Sequence, residues 1–225
     1  MKNNLISVIM SAYNSEETLE ESIISILSQK HSNLELLIVD DASSDKTFYI
    51  MSQLKKTDDR IKIYKNEKNL GLTKSLNFLI SKSNGNILAR QDSDDISLPD
   101  RLFKQFNVIK NKNIGVCTSR AYIKKTKKKL PGFSFYLPSD MLIKYKNPFV
   151  HGTLMIEKSL MISYGCYNEN YLYAQDYELF YKLIKNGEKI FTIREPLYIL
   201  NMENNISIKF KDEQMRYAKL VRSHY

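Results

Sequence analysis

"ILARQDSDDISLPDRL", Ile87 to Leu102, decides how the rest of the chain is read. An apolar run, Ile87, Leu88 and Ala89, leads at once into three carboxylates within four residues: Asp92, Asp94 and Asp95. Like charges that close repel one another. A chain with a net charge of +9 has no need to gather them. Pro99 then stands where a first helical turn accepts it. Leu102, Phe103, Phe106 and Ile109 follow as a helical stripe. The stretch therefore reads as buried strand ("NILAR", Asn86 to Arg90), acidic loop, helix.

The same order recurs upstream. "LISVIMS", Leu5 to Ser11, is a short run rich in β-branched residues and reads as a buried strand. Asn14 and Glu17 have capping-box spacing before a helix carrying Leu19, Ile23, Ile26 and Leu27. "LELLIV", Leu34 to Val39, is almost continuously apolar, as expected of a parallel strand covered on both faces. "DDASSDKT", Asp40 to Thr47, is a loop whose Asp45 can cap a helix with Phe48, Met51 and Leu54 inward. "IKIYK", Ile61 to Lys65, is a third strand, and Gly71 precedes a helix with Leu72, Leu76, Leu79 and Ile80. Four strand–helix alternations over 5–110 mark a doubly wound α/β half with a mostly parallel sheet.

The rest is less regular. "GVCTSRAYIKK" and "GTLMIE" (Gly152 to Glu157) read as strands, and "KKTKKK" (Lys124 to Lys129) as a solvated hairpin tip. "AQDYELFYKLIKNG", Ala174 to Gly187, reads as a helix with Tyr177, Tyr181 and Ile184 on one face. "KIFTI" and "LYILN" read as two short strands, and Asp212 to Tyr225 as a helical tail. No linker rich in Gly, Ser or Pro interrupts the chain. The expectation is one domain over 1–225, with halves 1–110 and 111–225.

Bulk composition narrows the function classes. Of 225 residues 43 % are hydrophobic and 26 % charged, a globular balance. No apolar run approaches the roughly 20 residues of a membrane span. The start of the chain lacks the long apolar core and small-residue cleavage site of a signal peptide. The two cysteines, Cys117 and Cys166, are isolated, which fits a reduced, cytoplasmic setting and not zinc. The excess of positive charge asks for an anionic partner.

In a parallel α/β sheet, ligands bind beyond the carboxyl ends of the strands. Ser11, Tyr13 and Asn14 follow the first strand, Asp40 and Asp41 the second, and the Asp92–Asp95 cluster the fourth. Hard Mg2+ or Mn2+ takes oxygen ligands, often one or two carboxylates plus phosphate oxygens. Such a cation would relieve the repulsion. The competing reading is an ordinary acidic loop in which Asp95 or Asp100 caps the next helix.

The chain resembles a family 2 glycosyltransferase with the GT-A fold, of the type that assembles bacterial polysaccharide, capsule or O-antigen. The matching motifs are "VIMSAYN" (8–14), "LIVDDASSDKT" (37–47), "NLGLTKSLN" (69–77), "ARQDSDDISLPDRL" (89–102) and "AQDYELF" (174–180), in the family's order. The resemblance implies a Rossmann-like nucleotide-sugar-binding half, 1–110, joined to a mixed acceptor-binding half with a C-terminal helix, 111–225. It implies that Asp92-x-Asp94 is the DXD motif, with Asp94 the ligand of Mg2+ or Mn2+ and Asp92 nearer the ribose. Asp95 matches a supporting position, Asp41 the contact to uracil, and Ser11 and Tyr13 the wall of the base pocket. Asp176 matches the catalytic base of an inverting transfer. Gln175 stands where the family often has Glu, which puts any charged acceptor contact there in doubt. His151 matches a region that faces acceptor or diphosphate, against the plainer reading of a half-buried histidine. Lys74 and Arg101 could approach phosphates, against helix-surface or salt-bridge duty. The implied partners are a UDP-sugar donor and a saccharide acceptor carried on polyprenyl diphosphate. An anionic membrane surface would meet Lys124–Lys129, Lys209, Lys211, Arg216, Lys219 and Arg222, with attachment to the inner face of the cytoplasmic membrane.

Rival classes fare worse. A nucleotidyltransferase or dinucleotide oxidoreductase needs a Gly-rich loop after the first strand, and the first glycine is Gly71. A nucleic-acid-binding module would use the lysine run, but the carboxylates repel phosphate, so no nucleic acid is expected.

Overall fold

The structure is a computed structural model that describes residues 4–203 and 210–224. Lys209 and Tyr225, read above as parts of the basic helical tail, lie outside the described residues. The first half alternates as expected: β1 (Ile6–Ala12), α1 (Leu19–Leu27), β2 (Leu34–Asp40), α2 (Thr47–Lys55), β3 (Ile61–Lys65), α3 (Leu72–Lys82) and β4 (Ile87–Arg90). Then come β5 (Ile96–Ser97), α4 (Arg101–Lys112), β6 (Val116–Ile123), β7 (Lys129–Leu130), α5 (Ser139–Leu142), β8 (Met155–Glu157), α6 (Lys158–Ser163), α7 (Gln175–Lys185), β9 (Ile190–Leu200) and α8 (Lys211–His224). Short 3-10 turns occupy Phe133–Tyr136 and His151–Thr153.

One sheet runs through both halves in the order β3-β2-β1-β4-β8-β6-β9-β5, with β7 paired to β6. β3, β2, β1 and β4 are mutually parallel, and β8 joins antiparallel to both β4 and β6. The β1 and β2 side chains alternate between two cores. Ile6, Val8, Met10, Leu36 and Ile38 pack with Ile23, Ile26, Met51 and Leu102. Ile9, Leu37 and Val39 pack with Leu76, Leu79, Phe180 and Leu183. Burial on both faces is why β2 reads as an apolar run. Each such side chain contributes about 1.5–3 kcal/mol of burial.

Glu35 is the exception inside that run. It is buried, and it accepts hydrogen bonds from Ser7 Oγ (2.5 Å), Lys62 Nζ (2.6 Å) and Asn84 N (2.5 Å). Gly85 makes this approach possible, because a Cβ there would stand 2.5 Å from Leu5 O.

Three local expectations are corrected. Asn14 does not cap α1: the helix begins at Leu19, and Asn14 sits at φ 47° with Oδ1 accepting from Ser44 N at 3.0 Å. "KIFTI" and "LYILN" are one strand, β9, whose pairing with β6 shifts register around Pro196. Proline cannot donate to a ladder, so the irregularity falls there. Arg101 is neither a phosphate contact nor half of a salt bridge; it is fully buried, as described below.

Candidate active site

The four parallel strands end on one edge, at Lys65, Asp40, Ala12 and Arg90. Short contacts stitch their loops together. Ser15 N donates to Thr47 Oγ1 (2.8 Å), Asn14 N to Ser43 Oγ (2.9 Å) and Glu16 N to Asp45 Oδ2 (3.0 Å). Ser15 Oγ and Ser93 Oγ are 2.9 Å apart. Asp45 Oδ1 also accepts from Thr47 N at 2.9 Å, the N-terminal bond expected of it at α2. Ser11 is half-buried beside Asp40, and the Tyr13 ring is 52 % exposed at the rim.

Asp41 is buried and committed to the loop that follows β3. Its carboxylate accepts from Asn66 Nδ2 (2.7 Å), Leu70 N (2.9 Å) and Gly71 N (2.9 Å). It thus fixes the 66–71 segment above the strand ends. Asp40 accepts from Ser43 N at 3.1 Å through Oδ1, while Oδ2 is buried without a hydrogen-bond partner.

The acidic cluster is built on two buried arginines. Arg90, the last residue of β4, grips the Asp92 carboxylate with both guanidinium nitrogens. Arg101 lies beneath it, and its NH2 donates to Arg90 O at 2.5 Å. Its other donors reach Gln91 Oε1 (3.0 Å), Ser97 Oγ (2.7 Å) and Gln105 Oε1 (3.0 Å). The guanidinium lies 5.0 Å from the centre of the Tyr198 ring. Burial brings Arg101 down to about 10. Tyr198 Oη accepts from Asp92 N at 3.0 Å. Gly152 leaves room for it, since a Cβ there would stand 2.6 Å from that oxygen. Asp95 is buried and accepts from Asn201 N at 2.6 Å, tying the loop to the end of β9.

Asp94 remains beside this scaffold. Burial, with Asp92 adding repulsion, raises its carboxyl to about 6. A dication would relieve both effects, and an all-oxygen donor set suits Mg2+ or Mn2+. Among the described residues no cluster of three or more His, Cys, Asp or Glu has metal-site geometry. Asp94 is thus a partial donor set, and a cation held there would take its remaining ligands from substrate oxygens.

Asp176 is the second residue of α7, whose entry turns on Ala174 at φ 57°. Burial raises its carboxyl; hydrogen bonds from backbone N–H groups and Asn147 and the field of Arg90 act against that. Asn147 Nδ2 donates to Asp176 Oδ2 at 2.8 Å, and Phe149 N fixes the other end of that amide at 3.0 Å. Burial raises the Tyr167 hydroxyl; the field of Arg90 opposes the rise, and those of Asp176 and Asp92 add to it. Gln175 is buried at the start of the same helix. His151 is half-buried, 2.8 Å from Tyr167 Oη and edge-on to Phe180. Burial and Arg90 push it well below its ordinary value, so the ring is neutral. Lys74 is exposed on α3. Sequence reasoning missed Arg90, Asn147 and Tyr198. The only signal was a basic residue ending a buried strand two positions before an acidic one.

Residues 7–168 match the family pattern described as glycosyl transferase family 2. The chain belongs to this family. EpsE of Bacillus subtilis is 33 % identical over 222 residues, 95 % of this chain and 77 % of that protein. WfgD of Escherichia coli, a UDP-Glc:alpha-D-GlcNAc-diphosphoundecaprenol beta-1,3-glucosyltransferase, is 39 % identical over 114 residues, 51 % of this chain and 44 % of that protein. Among solved structures, S. aureus TarS 1-349 with UDP-GlcNAc superposes with TM-score 0.79 at 20 % identity, covering 97 % of this chain and 68 % of that one. The chain spans 39 % of a longer TarS chain. The mannosyltransferase PcManGT from Pyrobaculum calidifontis, in complex with GDP-Man and Mn2+, gives TM-score 0.76 at 19 % identity over 96 % of this chain and 64 % of that one. The family makes the chain a glycosyltransferase, and the structural likeness shows the GT-A fold.

Proposed function

We propose that the chain is an inverting, metal-dependent glycosyltransferase that moves a sugar from a UDP-sugar to a hydroxyl of a lipid-linked saccharide in surface-polysaccharide assembly. The observation that supports the reading is that Asp176 lies in the field of Arg90, the residue that ends β4 and holds the Asp92 carboxylate. The UDP-sugar class is supported by TarS, solved with UDP-GlcNAc, and the acceptor class by the name of WfgD.

In this reading residues 1–110 hold the donor and 111–225 the acceptor. Ser11 and Tyr13 flank the base, and Asp41 presents the 66–71 loop to it. Asp92, locked by Arg90, faces the ribose. Asp94 holds Mg2+ or Mn2+, which when bound stabilises the departing diphosphate as a Lewis acid. Asp176 accepts the proton of the attacking acceptor hydroxyl, and its raised affinity for protons suits that task. One base on the face opposite the leaving group gives inversion without a covalent intermediate. Gln175 meets the acceptor by hydrogen bonding rather than charge, and His151 braces Tyr167 behind Arg90.

The acceptor's lipid places the protein at the inner face of the cytoplasmic membrane. No helix among the described residues is long and apolar enough to cross one. Attachment is then peripheral, through exposed lysines of the β6–β7 hairpin and α8. Lys124 and Lys125 are already paired with Glu21 and Glu203, so the contribution falls to their neighbours. A juxtamembrane basic residue is worth about 1 kcal/mol at an anionic surface. Equal binding to anionic vesicles at low and high salt would exclude such attachment.

The test of the mechanism is paired. Asp94→Asn loses metal-dependent UDP binding together with transfer. Asp176→Asn keeps UDP-sugar affinity while kcat falls about 10²–10⁴-fold. Transfer at the wild-type rate by Asp176→Asn places the base elsewhere, with Glu178 or Glu169 next.

A further inference from the structure

A cleft of about 630 Å3 opens beside the proposed base. Its walls include Leu130, Phe133, Leu137, Leu142, Lys146 and Asn147. Such a volume is ample for a small-molecule ligand. Asn147 belongs to both places: it lines the cleft and donates to Asp176 at 2.8 Å. A group seated against Asn147 is therefore one side chain away from the proposed base.

The walls combine three chemistries. Asn147 is neutral and polar. Lys146, the adjacent residue, is exposed and cationic. Much of the remaining lining is hydrocarbon, at Leu142, Leu137, Phe133 and Phe149. Surface around the mouth continues this pattern. Of the fifteen large hydrophobic side chains that are exposed among the described residues, five lie between 133 and 145. Phe133 is 81 % exposed and Tyr145 75 %. Such a concentration of exposed apolar side chains is what a binding surface presents. Lys127, Lys128, Lys129 and Lys144 are exposed on the same stretches of chain, with Asp140, while Glu21 and Glu203 are taken up by Lys124 and Lys125. Leu130 connects the lysine hairpin directly to the cleft wall.

We propose that this cleft binds the prenyl diphosphate end of the acceptor, with the phosphates at Lys146 and the first isoprene units against Leu142, Leu137 and Phe133. The inference rests on the lipid-linked acceptor of the proposed function. Such a molecule carries the three chemistries that this lining offers: a sugar for Asn147, phosphates for Lys146 and hydrocarbon for Leu142, Leu137 and Phe133. A free saccharide has no use for the apolar walls, and a neutral lipid has none for the lysines. The surrounding Tyr145 and Met141 then face the bilayer that holds the rest of the chain.

The test uses calorimetry in metal-free buffer, where a diphosphate has no cation to hold it at Asp94. The probes are farnesyl diphosphate, farnesol and inorganic diphosphate, with UDP plus Mn2+ as a separate control. Farnesyl diphosphate is expected to bind more tightly than either fragment. The double variant Phe133→Ser/Leu137→Ser should weaken it at least tenfold, and Lys146→Glu should weaken it while leaving farnesol unchanged. All variants should keep wild-type UDP affinity, which shows that they fold. Tight farnesyl diphosphate binding that ignores these variants overturns the cleft assignment and leaves the lipid-linked acceptor standing elsewhere. Inorganic diphosphate binding as tightly as farnesyl diphosphate overturns the role of the hydrocarbon walls. Loss of binding to anionic vesicles in the variants, with farnesyl diphosphate affinity unchanged, makes the patch a membrane contact only. Failure of wild-type protein to bind farnesyl diphosphate at all removes both the cleft assignment and the lipid-linked acceptor.

Discussion

Asn147→Ala separates a residue that tunes the base from one that merely packs near it. The Asn147 amide cannot turn, because Phe149 N holds its oxygen at 3.0 Å, so its NH2 is committed to Asp176 Oδ2 at 2.8 Å. A hydrogen bond to a charged acceptor is worth about 1.5–3 kcal/mol, and one to the neutral carboxyl about 1. The difference, on the order of 1 kcal/mol, stabilises the ionised form. Removing it adds to the desolvation that already raises Asp176, so its pKa climbs further. Arg90 stays in place, as do the α7 N–H groups that oppose the rise. Tyr167, the other titratable group whose field reaches Asp176, is also pushed up by burial and is uncharged throughout. In the proposed mechanism the base works ionised, so activity is lost as pH falls through its pKa. In Asn147→Ala the acid limb of kcat should therefore move to higher pH. The plateau above it should change little, and donor KM should not change. UDP release measured across the acid range reads this directly. An acid limb that stays put, with a uniformly lower plateau, would falsify the electrostatic role and leave Asn147 a packing residue.

Glu35→Gln should cost about 3 kcal/mol at neutral pH. Burial raises the Glu35 carboxyl, but bonds from Lys62, Ser7 and Asn84 outweigh it and bring it to about 2, below the 4.5 of an unperturbed glutamate. That stability is present above pH 4.5 and lost as pH falls toward 2, so urea midpoints of variant and wild type should converge on acidification; a constant gap refutes the linkage. Gly152→Ala should destabilise by about 1–3 kcal/mol, because its Cβ meets the Tyr198 ring at 2.6–2.8 Å; a wild-type melting temperature would show that Tyr198 yields freely. Asp41→Ala should weaken UDP binding by removing three bonds that hold the 66–71 loop and orphaning Leu70 N, and unchanged UDP affinity in calorimetry sinks its assignment to the base pocket.

The strand–helix alternation was legible because both faces of β1 and β2 are covered, which leaves apolar runs that no loop would carry. The site's acidic half was legible for a related reason: carboxylates placed directly after such runs stand out. Its basic half was not. Arg101 sits in the first turn of α4, where an arginine ordinarily faces water, and nothing in "LPDRL" says that it turns inward under β4. Its burial depends on Gln91 from the loop after β4, Ser97 of β5 and Tyr198 of β9, as well as Gln105 of its own helix. Long-range polar networks leave no period in a sequence. The split of β9 into two strands failed differently: Pro196 is a sound breaker signal, but a register shift on one strand absorbs it without ending the pairing.

The two arginines also explain why the carboxylates can be so close. Arg90 neutralises Asp92 directly, and Arg101 fixes the Arg90 backbone from below. Asp95 is held by Asn201 N and so is spent on structure. Burial and the charge of Asp92 raise both Asp94 and Asp95, while Arg90 and Lys124 act against the rise at Asp94. The cluster is therefore one acid paired with Arg90, one tied to the end of β9, and Asp94, the acid that the proposed function gives to a cation. Replacing Arg90 by Met tests this division. The Asp92 charge would lose its partner and become available to a cation, so Mn2+ should bind without nucleotide more tightly than in the wild-type protein, while the unpaired Asp92 should shift away from its ribose-facing position and weaken UDP. Nucleotide-free Mn2+ affinity that is unchanged in Arg90→Met, in protein shown by circular dichroism to be folded, would mean that Asp92 is not held out of the metal's reach by Arg90.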